Sequence, residues 1–212
     1  MKITKYGHSC IYVEAVDSTA LFDPGVFYKL PIDDISKLDH LFITHEHPDH
    51  YDAEVVVVLA QKFPDATITA PQGVVGDLSP RGVVASTTPP EGTALFASPH
   101  EYIEPFGAKT PEQIGVHFHN VFSHPGDSHS FTETMPVLFL PISGPWGTVV
   151  RATELALELQ PKVVIPIHDW FLSEEAKAWT YARLTEVFAE HRIQFAGLAP
   201  GESISLTDLD LL

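Results

Sequence analysis

Residues 44–50 read Thr44-His45-Glu46-His47-Pro48-Asp49-His50, three histidines and an aspartate within six residues. The run follows the strand candidate Leu38 to Thr44 and precedes a helix candidate that opens at Asp52. Any fold the chain adopts therefore has to seat this cluster on a turn between the two elements. Two histidines at i and i+2 off a strand end can converge on one ion while the chain turns. Asp49 and His50 then fall on the next turn and face a second ion. Imidazole nitrogen and carboxylate oxygen are the donors expected for zinc or a similar divalent metal, and Pro48 stiffens the turn by fixing its own φ. A solvated, histidine-rich turn is the plainer alternative, but apolar elements flank the run on both sides.

The rest of the chain reads as many short elements, as 18 prolines and 13 glycines suggest. Strand candidates occupy Ser9 to Val16, Ala20 to Phe22, Ala66 to Ala70, Gly82 to Ala85, Thr93 to Phe96 and Ser98 to Ile103. Ile114 to Phe118 and Val121 to His124 suggest a hairpin around His119-Asn120, and Pro136 to Pro141 and Val163 to Ile167 two buried strands. The spacing predicts helices over Asp52 to Lys62, Thr148 to Leu159 and Ser173 to His191, the last capped by Ser173. Short strands near Ile193 to Phe195 and Ser203 to Leu206 close the chain. Strands first and helices later imply sheets covered by helices on their outer faces. No repeat or linker divides the 212 residues, so residues 1–212 read as a single domain.

A net charge of −16 opposes nucleic acid and anionic membranes, which both need a basic footprint. The lone Cys10 rules out an intrachain disulfide. The N-terminus lacks an apolar signal region, and no run reaches the roughly 18 apolar residues of a membrane helix. A cytoplasmic location is the resulting expectation. The implied partner is a small-molecule substrate, and a homo-oligomer stays open.

Thr-His-Glu-His-Pro-Asp-His resembles the His-x-His-x-Asp-His signature of the metallo-β-lactamase superfamily in full. Further segments resemble that family in order: Phe22-Asp23-Pro24-Gly25, Ala97-Ser98-Pro99-His100, Ser123-His124-Pro125-Gly126-Asp127-Ser128 and Pro166-Ile167-His168. Order and spacing are most similar to the compact branch that includes ascorbate-6-phosphate lactonase. The resemblance implies an α+β fold, a four-layer αββα sandwich with the site at one edge between two sheets. It implies His45, His47 and His100 on one metal, Asp49, His50 and His168 on a second, and Asp127 between them. The implied cofactors are two divalent ions, zinc first, with manganese or iron as alternatives. Position 47 is His, where the diiron flavoprotein branch has Glu, so redox chemistry is disfavoured. Cys10 lies too far upstream to be the metal-binding cysteine of the secreted antibiotic-degrading enzymes. There is no room for the inserted domain of the nucleic-acid-cleaving branch.

The expected activity is hydrolysis of a small ester, lactone or phosphoester, with metal-bridged hydroxide as nucleophile, since no Ser/His/Asp or Cys/His arrangement is evident. Alternatives are a phosphodiesterase or phospholipase activity, or a non-catalytic metal-binding protein on the same scaffold. Asp49, His8 and His129 are the candidates for catalytic work, His8 and His129 as groups that shuttle protons or orient substrate. His124 shares that reading with a purely supporting one. Asp23 and Asp52 are candidates to orient ligating histidines. Trp146 is a candidate pocket residue, and Arg151 and Lys109 are the nearest candidates for phosphate. His117 and His119, two apart, read as surface residues on one strand face.

Overall fold

The computed structural model describes residues 1–104, 106 and 109–209; the expected domain's positions 105, 107, 108 and 210–212 lie outside the described residues. Among the described residues, twelve strands form two six-stranded sheets. The first sheet runs, in spatial order, Glu202–Ser205 (β12), Lys2–Gly7 (β1), Cys10–Glu14 (β2), Thr19–Phe22 (β3), His40–Phe42 (β4) and Thr67–Thr69 (β5). The second runs Gln194–Phe195 (β11), Val163–Ile167 (β10), Val137–Pro141 (β9), Phe122–His124 (β8), Gly115–Phe118 (β7) and Thr93–Phe96 (β6). The helices are Ala53–Lys62 (α1), Gln72–Leu78 (α2), Val149–Leu159 (α3) and Glu174–Glu190 (α4).

Side-chain alternation within the strands makes the layers. Ile11 and Val13 of β2, Ala20 and Phe22 of β3, Val137 and Phe139 of β9, and Val163 and Ile165 of β10 meet in one core between the sheets. Their neighbours point outward. Tyr12, Leu21 and Leu41 pack with Val56 and Leu59 of α1 and Val74 and Leu78 of α2. Leu138, Leu140 and Val164 pack with Leu155 of α3 and Leu184 and Phe188 of α4. The result is the four-layer αββα sandwich. Strands covered on both faces need apolar residues at every position, which explains the unbroken runs in β9 and β10.

Some expected elements differ. Gly82 to Ala85 forms no strand, and only an isolated bridge from Thr69 to Ser86 follows it. Ser98 to Ile103 is a loop, because the chain leaves the sheet after Phe96 to carry His100 to the site. Helix α2 escapes the sequence reading because Gly73 and Gly76 dilute its helical signal. Strand β1 was not expected either. Asp52 caps α1, accepting from the amides of Glu54 and Val55, and orients no histidine. The hairpin turn is at His119-Asn120, whose φ angles of 53° and 52° are those of the left-handed turns that match strand twist. His117 is not a surface residue. It is buried against Phe96 with ring centroids 4.0 Å apart, while His119 sits in the turn and bonds Ser18.

Cys10 is buried in the core between the first sheet and α1 and α2, and burial, reinforced by Asp23, pushes its thiol pKa far up. A buried neutral thiol is inert. The folded protein is expected to show no fast reaction with an aromatic disulfide reagent at pH 8, and one equivalent once unfolded in guanidinium. Full reaction within seconds before unfolding would refute this burial.

Candidate metal centre

Strand direction places the site. Strands β1, β3 and β4 run one way in the first sheet, and β6, β8, β9 and β10 run one way in the second. The segments that follow them meet at one end of the sandwich. His8 comes off β1, Asp23 off β3, His45 to His50 off β4, His100 after β6, Asp127 after β8 and His168 directly off β10.

The turn after β4 needs a close neighbour. A Cβ on Gly25 would lie 2.0 Å from the Asp49 carbonyl oxygen, so only glycine lets the Asp23-Pro24-Gly25 loop pack there. Val26 N–H then donates to Pro48 O, and Asp52 N–H to Pro24 O. Gly126, at φ 63°, turns the chain to present Asp127. The Asp127 N–H donates to Gln113 Oε1, whose amide in turn bonds the Ser98 and Pro125 carbonyls.

All seven expected ligands come together. His45, His47, His100 and Asp127 form one group, and Asp49, His50 and His168 form a second together with His8; within each group the ligand atoms lie within 4.8 Å of one another. Asp127 faces both groups. Its Oδ1 is 2.9 Å from His50 Nε2, and its Oδ2 is 3.0 Å from His168 Nε2, 3.7 Å from His100 Nε2 and 4.0 Å from His45 Nε2.

The outer ring nitrogens are occupied, which fixes the tautomers. His50 Nδ1–H donates to Asp23 Oδ2 at 2.7 Å. Thr44 gives its hydroxyl proton to the same oxygen and accepts from His45 Nδ1–H at 3.0 Å. His100 Nδ1–H donates to Glu101 O at 2.6 Å, and His168 Nδ1–H donates to Ser143 O. The Nε2 lone pairs therefore point inward. Those of His45, His50 and His168, with Asp127 Oδ1, are buried without a hydrogen bond. The 2.9 Å contact between His50 Nε2 and Asp127 Oδ1 does not have hydrogen-bond geometry. Buried polar atoms are rarely left so, and a donor set of this chemistry fits divalent cations.

Electrostatics couple the same groups. Burial opposes ionisation of Asp127, but His168 and His50 outweigh it and hold the carboxyl well below its ordinary range. Asp49 is likewise held low against burial by the imidazoles of His168 and His8 beside it. Burial pushes His50 down, yet Asp127 and Asp23 raise it well above its ordinary value. At His45 burial and the neighbouring His50 outweigh Asp127 and leave it well below.

His8 is brought into the second group. Its Nε2 lies 3.2 Å from Asp49 Oδ2, its ring is 4.1 Å from that of His168, and burial lowers its pKa to about 4. His129 is not brought to the cluster. Its Nε2–H donates to Pro141 O, and its ring packs edge-on against Trp146 at 5.2 Å. His124 supports the turn: Nε2–H donates to Ser9 O, and Nδ1 accepts from Gly126 N–H. Trp146 donates Nε1–H to Asp127 Oδ2 at 3.1 Å.

Sequence reasoning missed a buried clamp. Lys5, fully buried in β1, donates to Pro166 O and Asp169 Oδ2 at 2.8 and 2.7 Å, and Asp169 also accepts from Tyr181. The clamp fixes the residue after His168, whose φ of 57° is costly for a non-glycine residue. His8 and Asp23, at φ 48° and 45°, carry the same strain beside it. Glu101 and Gln113 were missed too, since neither lies in a recognisable motif.

The family model described as the β-lactamase superfamily domain matches residues 2–168. Protein Rv0786c of Mycobacterium tuberculosis is 31% identical over 201 residues, covering 88% of this chain and 92% of that protein. A Caldivirga maquilingensis protein named a metal-dependent hydrolase is 25% identical, covering 94% of this chain and 96% of its own. The structure of Igni18, a metallo hydrolase of Ignicoccus hospitalis, shares the fold with a TM-score of 0.72 at 20% identity, covering 96% of this chain and 97% of that one. The family match extends over strands β1 to β10, the histidine turn and the His168 strand end alike, and the chain belongs to the metallo-β-lactamase superfamily.

Proposed function

We propose that this protein is a metal-dependent hydrolase that holds two divalent cations and cleaves a small-molecule ester, lactone or phosphoester with water. The observation that carries the reading is the convergence of buried, unpartnered Nε2 atoms of His45, His50 and His168 on the two-sided carboxylate of Asp127. His45, His47 and His100 hold one cation, Asp49, His50 and His168 the other, and Asp127 faces both. Divalent ions bound there supply Lewis acidity, which acidifies water and polarises the electrophilic oxygen.

The chain's own groups do the rest. Asp49 is the carboxylate nearer the opening, with its side chain 14% exposed against 2% for Asp127. It can orient an attacking water by accepting its hydrogen bond, and His8 Nε2–H steadies its Oδ2. Trp146 holds Asp127 from the opening side. The Caldivirga relative and the Ignicoccus structure carry hydrolase names, which supports the same reaction class. Neither relative's name specifies a substrate.

Elemental analysis after zinc reconstitution is expected to find about two equivalents per chain, and Asp49→Ala to abolish hydrolysis while keeping the wild-type far-ultraviolet dichroism. Absence of metal after reconstitution would overturn the reading, as would an Asp49→Ala protein of unchanged activity.

A further inference from the structure

A cleft of ≈ 250 Å³ opens over the site. His47, Asp49, Asp127 and His168 form its floor, and Phe27, Ile103, Phe106, Pro145, Trp146 and Phe171 its wall. The wall is a connected aromatic surface. Phe171 stacks on His168 at 5.5 Å, Trp146 lies 5.1 Å from the same ring, and Phe27 lies 5.2 Å from His8 and stacks on Trp170 at 4.2 Å. Much of it faces water: Phe106 is 78% exposed and Phe171 47%, and Trp170, behind Phe27 and outside the wall, is 54% exposed. Scattered exposed apolar residues need no explanation, but a contiguous group around a reactive floor marks a binding surface.

No lysine or arginine lines this cleft among the described residues. Arg151, one of the two expected phosphate contacts, instead pairs with Glu154 along the exposed face of α3. Lys109, the other, does not line the cleft. The wall's one indole N–H is already donated to Asp127. A phosphoryl group brings three non-bridging oxygens, and sites selective for it surround them with arginine, lysine or amide donors. Here cations on the floor could meet some of those oxygens, while the remainder would lie against aromatic carbon with no donor, at the cost of desolvating charge. A neutral acyl group has one carbonyl oxygen to satisfy. Its substituent gains by leaving water for the wall. The volume lies just below the roughly 300–1,000 Å³ usual for ligand pockets, which suits a single ring or a short chain.

Resting on the hydrolase reading above, we propose that the substrate is a small, uncharged carboxylic ester, open or cyclic, whose apolar ring-bearing part packs against Phe27, Trp146 and Phe171. The oxygen of water bonds to the carbonyl carbon and the acyl C–O bond to the alcohol breaks. One water proton passes to the departing alkoxide, and the carboxylic acid product ionises. Nothing is oxidised or reduced.

Benzyl acetate and benzyl phosphate carry the same ring on a neutral and an anionic reacting group. With the zinc-loaded protein, kcat/KM for benzyl acetate is expected to exceed that for benzyl phosphate at least tenfold. The ketone 4-phenylbutan-2-one has the shape of benzyl acetate but no bond to hydrolyse. Calorimetry is expected to show it binding, and Phe171→Ala to weaken that binding about tenfold, the effect of exposing much of one aromatic contact, with metal content unchanged. Preference for benzyl phosphate, or equal ketone affinity in wild type and Phe171→Ala, overturns this inference and leaves the hydrolase reading standing. Failure of both esters to react with two equivalents of metal bound overturns the hydrolase reading itself.

Discussion

Asp127→Ala, reconstituted with excess zinc, is expected to retain less than one equivalent of metal after desalting and to show no measurable hydrolysis. The geometry makes the loss double. The two oxygens of this one carboxylate face His50 and His168 on one side and His100 and His45 on the other, between 2.9 and 4.0 Å. Removing it strips an anion from both groups and leaves their imidazoles facing each other across a buried gap. Loss of an outer hydrogen-bond partner already costs about 10–100-fold in metal affinity, and a carboxylate common to both groups should cost more at each. The fold has less at stake, because the Asp127 side chain supports no distant element beyond Trp146. Thermal unfolding of the metal-free protein should therefore shift little. Two retained equivalents would refute the shared position, and loss of only one would assign the carboxylate to a single ion.

The sequence exposes this site unevenly. Four donors are adjacent in the chain because a single turn after β4 delivers His45, His47, Asp49 and His50, and adjacency is visible. Asp127 and His168 are visible through what precedes them, Gly126 with its left-handed backbone and the apolar strand β10. The helices with caps, α1, α3 and α4, are equally plain, since Asp52, Thr148 and Ser173 satisfy first-turn amides locally. Long-range partners leave no such mark. Lys5 reads as an ordinary lysine near the start of the chain until Asp169, 164 positions away, is folded onto it. Phe27 and Phe171 reach the same wall from opposite ends of the chain, so no spacing announces the cleft. Ser98 to Ile103 looks like a strand because its composition suits one, yet the route of the chain to His100 decides against it. His129 is the reverse case. Proximity in sequence to Asp127 suggests chemistry, but its Nε2–H is given to Pro141 O.

Asp23 is the second position at which one substitution should do most damage, and two replacements separate its roles. Its carboxylate is wholly buried and accepts from Thr44 N–H, the Thr44 hydroxyl and His50 Nδ1–H. Asp23→Ala orphans all three donors. Leaving buried charged or polar partners uncompensated costs about 3–5 kcal/mol, a large share of the roughly 5–15 kcal/mol that holds a domain together. For a chain of this size that is a fall in Tm of roughly 6–20 °C. The backbone adds to it, since Asp23 sits at φ 45°, where alanine is less at ease than aspartate or asparagine. Asp23→Asn keeps that backbone and an acceptor for Thr44 N–H, but turns an N–H₂ toward the oxygens and nitrogens that Oδ2 now serves. His50 can then meet it only by accepting at Nδ1, which moves the ring proton to Nε2 and removes the lone pair aimed at Asp127. Asp23→Asn should therefore unfold only a few degrees below wild type while metal content falls toward one equivalent. An alanine variant within about 2 °C of wild type would show that Asp23 carries little of the fold. An asparagine variant with both equivalents would show that the His50 tautomer does not depend on it.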